Sequence, residues 1–318
     1  MGKIKISLLS CAAMAVMVGV AAPVAQARTV EVTMKAVETE VVIDNKGTKY
    51  PAWTFDGAIP GKVVRVTQGD LVDFTLVNPK DNKNSHSMDF HAAEVDVLNE
   101  FAPVKPGESK HFTFHAKRAG VYMYHCGANP MVQHIARGMY GVIIVDPKHG
   151  YSRSFPKPDR EYVMIQQQFF PNAEDYGAML ENKGWTMSLI NGKAFNYDPV
   201  HDPNASGTVF MAKPGERVRI YFVNANINMP VAFHPIAGIW DRVYINGNPK
   251  NTLYDVQTYN VAVAEASAFD IVSPSDRATN NAIVDHTMSA ALRGAITVLM
   301  NRPDADPKLG KGDNILLR

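Results

Sequence analysis

The sequence predicts an all-β protein built as two tandem copies of one β-sandwich. Short runs of alternating apolar and polar residues recur along it, among them "KVVRVTQGDLVDFTLVN" (62–78), "SKHFTFHA" (109–116), "GVYMYHC" (120–126) and "YGVIIVDP" (140–147). A period of two is what a strand with one face on a core requires. Pro, Gly and Asn turns separate the runs, and helical periodicity is sparse; "NPMVQHIARG" has room for one turn. The second half also repeats the first: "QGDLVDFTLVN" (68–78) matches "PGERVRIYFVN" (214–224), "SMDFHA" (87–92) matches "PVAFHP" (230–235), and "GVYMYHC" matches "NAIVDHT" (281–287). The offset drifts from 146 to 143 to 161 residues, as loop insertions would cause.

Taken in order, residues 1–27 read as a secretory leader: Lys3 and Lys5 precede an apolar run from Ile6 to Ala22, and Ala25-Gln26-Ala27 is a small-residue cleavage site. Cleavage after Ala27 would start the mature chain at Arg28 and place it in the periplasm. The first sandwich is expected over 28–150 and the second over 151–302. The join "DPKHGYSRSFPKPDRE" (146–161) is rich in Pro, Gly and charge. The tail 303–318 has no strand pattern of its own and is expected to be loose or to pack across a neighbouring subunit.

Composition narrows the function classes. The 318 residues are 46% apolar and 20% charged, which excludes disorder and collagen. Without Lys3 and Lys5 the 32 basic residues fall to 30 against 31 acidic ones, a formal charge of −1, so nothing attracts nucleic acid. No segment after the leader reaches the length of a membrane span.

Cysteine usage points to metal. Cys11 lies in the leader, so the mature chain keeps only Cys126 and can form no internal disulfide. Cys126 is followed by His134 and Met139 on one loop, and His86 lies upstream. A thiolate, two imidazoles and a thioether are the ligands of a blue, or type 1, copper site. Successive strand residues face opposite ways, so a Cys126 turned inward sends His125 outward. His86 and His91 are an odd number apart and likewise diverge. Hence His91, His125 and Asp89 are expected on the outer face of the first sandwich, with His234 and His286 at the matching outward positions of the second. If one subunit's first sandwich meets the next subunit's second, these groups converge, and a head-to-tail contact that closes makes a ring. Three imidazoles with an open position make a catalytic metal site, leaving the fourth histidine and the acid for proton transfer.

The segments "SHSMDFHA", "YHCGANPMVQHIARGMYG", "AFHPIAGIWDRVY" and "IVDHTMSAALRGAITV" resemble the copper-containing nitrite reductases, and the resemblance covers nearly all of the mature chain. It implies two cupredoxin-like Greek-key β-sandwich domains per subunit and a homotrimer. Each subunit would carry one type 1 copper on His86, Cys126, His134 and Met139. One type 2 copper would sit on His91 and His125 with His286 of the neighbouring subunit. Asp89 and His234 match the family's catalytic pair, and Ile236 matches the residue that shapes the nitrite pocket. The implied activity is one-electron, dissimilatory-type reduction of nitrite to nitric oxide and water. Electrons would come from a soluble donor, a cytochrome c or a small cupredoxin, and pass from type 1 to type 2 copper through Cys126 and His125. Turnover is expected to fall from mildly acidic to alkaline conditions. The chain departs from the family in two places: the Cys126–His134 interval is the shorter of its two loop lengths, and "AAEVDVLNEFAP" follows His91 where many members carry a glycine-rich loop.

Two other readings compete. A two-domain multicopper oxidase needs a trinuclear cluster built from HxH pairs, and the ten histidines form none; nor does a histidine follow Cys126. A plain blue electron carrier explains Cys126 but not His234 and His286. His111, His115, His149 and His201 read as surface residues and Trp240 as core.

Overall fold

The computed structural model describes residues 27–200, 202, 203, 205 and 209–318; all but the last residue of the leader read at 1–27, and His201, lie outside them. The first half contains β1 (Thr29–Val42), β2 (Lys49–Phe55), β3 (Val64–Thr67), β4 (Leu71–Val77), β5 (Asp89–Phe90), β6 (Ser109–His115), β7 (Gly120–His125), helix α1 (Met131–Ala136) and β8 (Tyr140–Asp146). The second contains β9 (Arg160–Phe169), α2 (Tyr176–Leu180), β10 (Met187–Ile190), β11 (Phe210–Ala212), β12 (Arg217–Asn224), β13 (Val231–Pro235), β14 (Trp240–Tyr244), β15 (Thr252–Val256), β16 (Tyr259–Val261), β17 (Ala266–Val272), β18 (Thr279–Asp285), α3 (Met288–Ala291) and β19 (Ile296–Asn301).

Each half is a two-sheet sandwich. The first pairs a β2-β1-β4-β6 sheet with a β3-β8-β7-β5 sheet, and the second pairs β10-β9-β12-β17-β14-β15 with β11-β19-β18-β13-β16. The copies share their unusual pairings. Parallel β1–β4 recurs as β9–β12, and parallel β3–β8 recurs as β11–β19, with neighbours far apart in sequence as Greek-key connections make them. Alternating apolar residues of β4, Val72, Phe74 and Leu76, point into a core with Phe90, Tyr124, Cys126 and Met139. In the second sandwich Trp240, Phe222, Phe233 and Phe269 do the same.

A third core lies between the sandwiches and changes one expectation. Tyr122, Tyr124 and Cys126 face the first core, but Val121 and Met123 pack with Tyr221, Val223, Tyr244 and Ala268 of the second half. The outer face of β7 is thus covered by the chain's own second sandwich, and His125, on the same side, is only 5% exposed. Glycines allow this approach. A Cβ on Gly120 would lie 2.5 Å from the Asn246 carbonyl oxygen, and one on Gly247, whose φ is +64°, 2.6 Å from the Val121 nitrogen. An ionic link crosses the same seam. Arg65 of β3 donates to Asp146 at 2.7 and 2.9 Å and to Glu161 of β9 at 2.8 and 2.9 Å, and the Tyr221 hydroxyl donates to Glu161 at 2.5 Å.

The tail packs along its own chain. The amides of Glu161 and Val163 donate to the carbonyls of Gly310 and Ile315, Ile315 and Leu317 are buried, and the Arg318 guanidinium reaches the Pro60 carbonyl at 2.9 Å. The last residues therefore tie the second sandwich to the first. No helix among the described residues is long and apolar enough to cross a membrane.

Candidate metal centres

The inner group forms where β7 ends. His86, Cys126 and His134 are all buried, and their ligand atoms lie within 4.8 Å of one another. His86 Nδ1 is 3.2 Å from His134 Nδ1, which is 3.2 Å from the Cys126 sulfur. Cys126 arrives on a strand end, whereas α1 brings His134 back over it. Met139 closes the loop: it is fully buried in the same core, its amide donates to the His134 carbonyl, and its carbonyl accepts from the Cys126 amide, both at 3.1 Å. The structure thus brings three of the four predicted ligand atoms together, with Met139 tied to the group through its backbone.

The electrostatics of this group suit a cation. Burial, and then His86, holds the His134 imidazole down to about 3, and burial pushes the Cys126 thiol up to about 11. Both imidazoles are therefore neutral. His86 commits its Nε2 hydrogen to Glu38 Oε1, 3.2 Å away, which leaves an Nδ1 lone pair aimed at two other electron-rich atoms. A thiophilic ion would relieve that crowding and displace the thiol proton, and soft thiolate with imidazole is a copper-type donor set.

The second group sits one residue back along β7. His91 Nε2 and His125 Nε2 are 3.1 Å apart, and Asp89 Oδ2 is 3.8 Å from His125 Nε2. Strand pairing produces this: β5 lies antiparallel to β7 with Asp89 opposite His125, and the His91 amide continues the ladder to the Met123 carbonyl at 3.1 Å. The Nδ1–H of His125 donates to the Cys126 carbonyl at 3.0 Å, which fixes the tautomer and turns Nε2 toward His91. Burial first, and His125 second, lowers the pKa of His91. His91 is nonetheless exposed, and the coordination is open on that side.

The second sandwich repeats the register with different side chains. β13 pairs with β18 so that Phe233 faces Asp285, and the His286 amide donates to the Ala232 carbonyl at 2.8 Å. Ala232 thus stands where Asp89 stands in the first copy, and His234 where His91 does. The rings of His234 and His286 are 5.5 Å apart. His234 Nδ1 lies 2.7 Å from the Gln257 carbonyl, leaving Nε2 for other partners. Ile236, 38% exposed, shares with His286, Val284, Met288 and Leu292 an open apolar groove of about 580 Å³. Neither three-residue metal-binding group among the described residues includes His286 of the same chain.

Over 283 residues the chain is 31% identical to the copper-containing nitrite reductase of Neisseria gonorrhoeae, covering 88% of this chain and 70% of that one. The chain belongs to the copper-containing nitrite reductases. It is accordingly an oxidoreductase that reduces nitrite with copper. A solved copper nitrite reductase from Nitrosomonas europaea is 58% identical and superposes with a TM-score of 0.87, covering 91% of this chain and 100% of that one. That of Thermus scotoductus is 28% identical with a TM-score of 0.78, covering 89% and 64%. A sequence model of the multicopper oxidase family matches residues 36–150, and a multicopper oxidase structure at 22% identity and TM-score 0.73, covering 86% of this chain and 89% of that one, shares the fold.

Several residues of this nitrite reductase escaped the sequence reading. Glu38 bonds His86 from 48 positions away, and Trp53 packs on both inner imidazoles, with ring centroids 4.7 Å from His134 and 5.6 Å from His86. The Ser87 amide donates to the Cys126 sulfur at 3.2 Å. Asp285 is fully buried at a strand end and accepts from Gln166, Ala232 and Thr287. Only Asp285 had a local signal, an acid directly before His286 at the end of an apolar strand. Of the other histidines, His111 is exposed and bonds Asp73 at 2.6 Å, and Trp240 is core.

Proposed function

We propose that the enzyme reduces nitrite to nitric oxide by one electron, NO₂⁻ + e⁻ + 2H⁺ → NO + H₂O, with type 1 copper in the inner group and type 2 copper in the outer one. The observation that carries this is the joint at Cys126 and His125: two unlike ligand groups share a strand end, one buried around sulfur and one built of paired Nε2 atoms. Bound copper would supply a one-electron relay at the first group and a Lewis acid for the nitrite oxygen at the second. Adjacent alpha carbons are about 3.8 Å apart, so Cys126 and His125 provide a short covalent path between the two.

The remaining chemistry belongs to side chains. Cleavage of the N–O bond leaves an oxygen that must depart as water, and Asp89, beside His125, is placed to hold it and deliver a proton. His234, with Nδ1–H held by the Gln257 carbonyl, would take up a solvent proton at Nε2 and pass it on as the second donor. Each turnover consumes two protons, so turnover should fall toward alkaline conditions.

His234, Ile236 and His286 travel together on one face, and among the described residues the outer group has no third imidazole from its own chain. We infer that this face docks on the first sandwich of the next subunit, closing a homotrimer, and that its open apolar groove is covered there. The exported enzyme would work in the periplasm with a soluble cytochrome c or small cupredoxin as donor. The test is His286→Ala, with copper counting and electrochemical detection of nitric oxide. The variant should keep the visible thiolate–copper absorption, lose one of two coppers per subunit and produce no nitric oxide. Undiminished nitric oxide production would overturn the assignment.

A further inference from the structure

Glu38 stands at a position where the fold asks for an apolar side chain. It shares the inward face of β1 with Val32, Met34 and Ala36, all buried in the first core, and its side chain is 15% exposed. A carboxylate so sheltered requires compensation. Oε1 receives it from four donors: the Lys83 amide at 3.1 Å, the Asn84 amide at 2.8 Å, the Asn84 side chain at 3.0 Å and His86 Nε2 at 3.2 Å. Four donors converging on one oxygen are what an ionised carboxylate collects. Trp53, paired with Glu38 across the β1–β2 ladder, covers both inner imidazoles from the same place.

We propose that Glu38 is a positioning residue for the inner centre, locking His86 with Nδ1 toward Cys126 and, through its negative charge, favouring the oxidised state there. The inference rests on the type 1 reading and adds to it the residue that sets that centre's redox balance. A carboxylate behind a ligating imidazole raises ligand basicity and fixes the tautomer. A unit charge one ring's width from the ligand atom, in a half-sheltered site, should change the oxidised-to-reduced equilibrium about tenfold. For a one-electron couple that is about 59 mV.

The test compares Glu38→Gln with Glu38→Asp in the copper-loaded protein by potentiometric titration of the visible thiolate–copper band. Gln keeps the shape and an acceptor but loses the charge; Asp keeps the charge and shortens the reach. Gln should retain the band and copper count while shifting the equilibrium about tenfold toward the reduced form, and Asp should shift it less. Imidazole nitrogen NMR of the metal-free protein should find His86 as the Nε2–H tautomer in the wild type. An unchanged potential in Gln, or an equal shift in both variants, would overturn the role of Glu38. A wild-type protein with no thiolate–copper band would instead remove the type 1 reading, and the proposal with it.

Discussion

Replacing Asp285 with Ala should weaken the fold and empty the outer centre without touching the inner one. The buried carboxylate accepts from Gln166 Nε2 at 2.8 Å, the Thr287 amide at 2.9 Å and the Ala232 amide at 3.1 Å, so it pins the two residues on either side of His286's backbone bond. Hydrogen bonds to a charged acceptor contribute about 1.5–3 kcal/mol each, and an orphaned buried donor costs about 1–3 kcal/mol. Removing the carboxylate also relieves its own desolvation, so the three do not add, and a total of about 3–5 kcal/mol is expected. Asp285→Asn keeps one acceptor oxygen and should lose about half as much. Guanidinium unfolding at one fixed protein concentration measures this, since subunit association contributes to apparent stability. Copper counting and nitrite turnover should show the outer copper and the activity lost together, with the visible band kept. A variant with the wild-type midpoint and two coppers per subunit would refute the reasoning.

Two further outcomes follow from the same geometry. Met139→Leu conserves volume in a fully buried site and should cost less than about 1.5 kcal/mol. It should nonetheless change the visible absorption and potential of the inner centre while the outer copper stays bound. Glu161 is held below its ordinary 4.5: burial pushes it up, but the Arg65 guanidinium and the Tyr221 hydroxyl outweigh that. Its contribution is therefore full above pH 4.5 and lost as pH falls through the folded value. The stability gap between wild type and Glu161→Gln should narrow below pH 4.5 in denaturant titrations, and a constant gap would argue against the link across the seam.

The fold and the grouping of the candidate site residues were legible because they obey short periods. Alternation named the strands, and the matched segments around His91 and His234 announced the repeat. The odd spacing of His86 and His91 separated the two groups. What stayed hidden depends on contacts between distant segments. That β7 has a second covered face follows from how one sandwich lies on the other, which no local pattern encodes. The tail gave no strand signal because it is held by amides of Glu161 and Val163 and two buried side chains instead of a ladder of its own. Glu38 looked like any surface acid on a strand, and its role depends on a loop 45 residues downstream.

The strand β7 serves three masters at once: its odd side chains seal the seam, its even ones fill the first sandwich, and its last residue together with Cys126 hands one ligand to each centre. Drift can therefore reshape the loops around either residue group, but the spacing between the groups is pinned by a single peptide unit. Inserting one residue before His125 would put imidazole in the sulfur's seat, and deleting one would put sulfur beside His91, so either change spoils both pockets. Such a strand tolerates exchange of side chains and forbids changes of length.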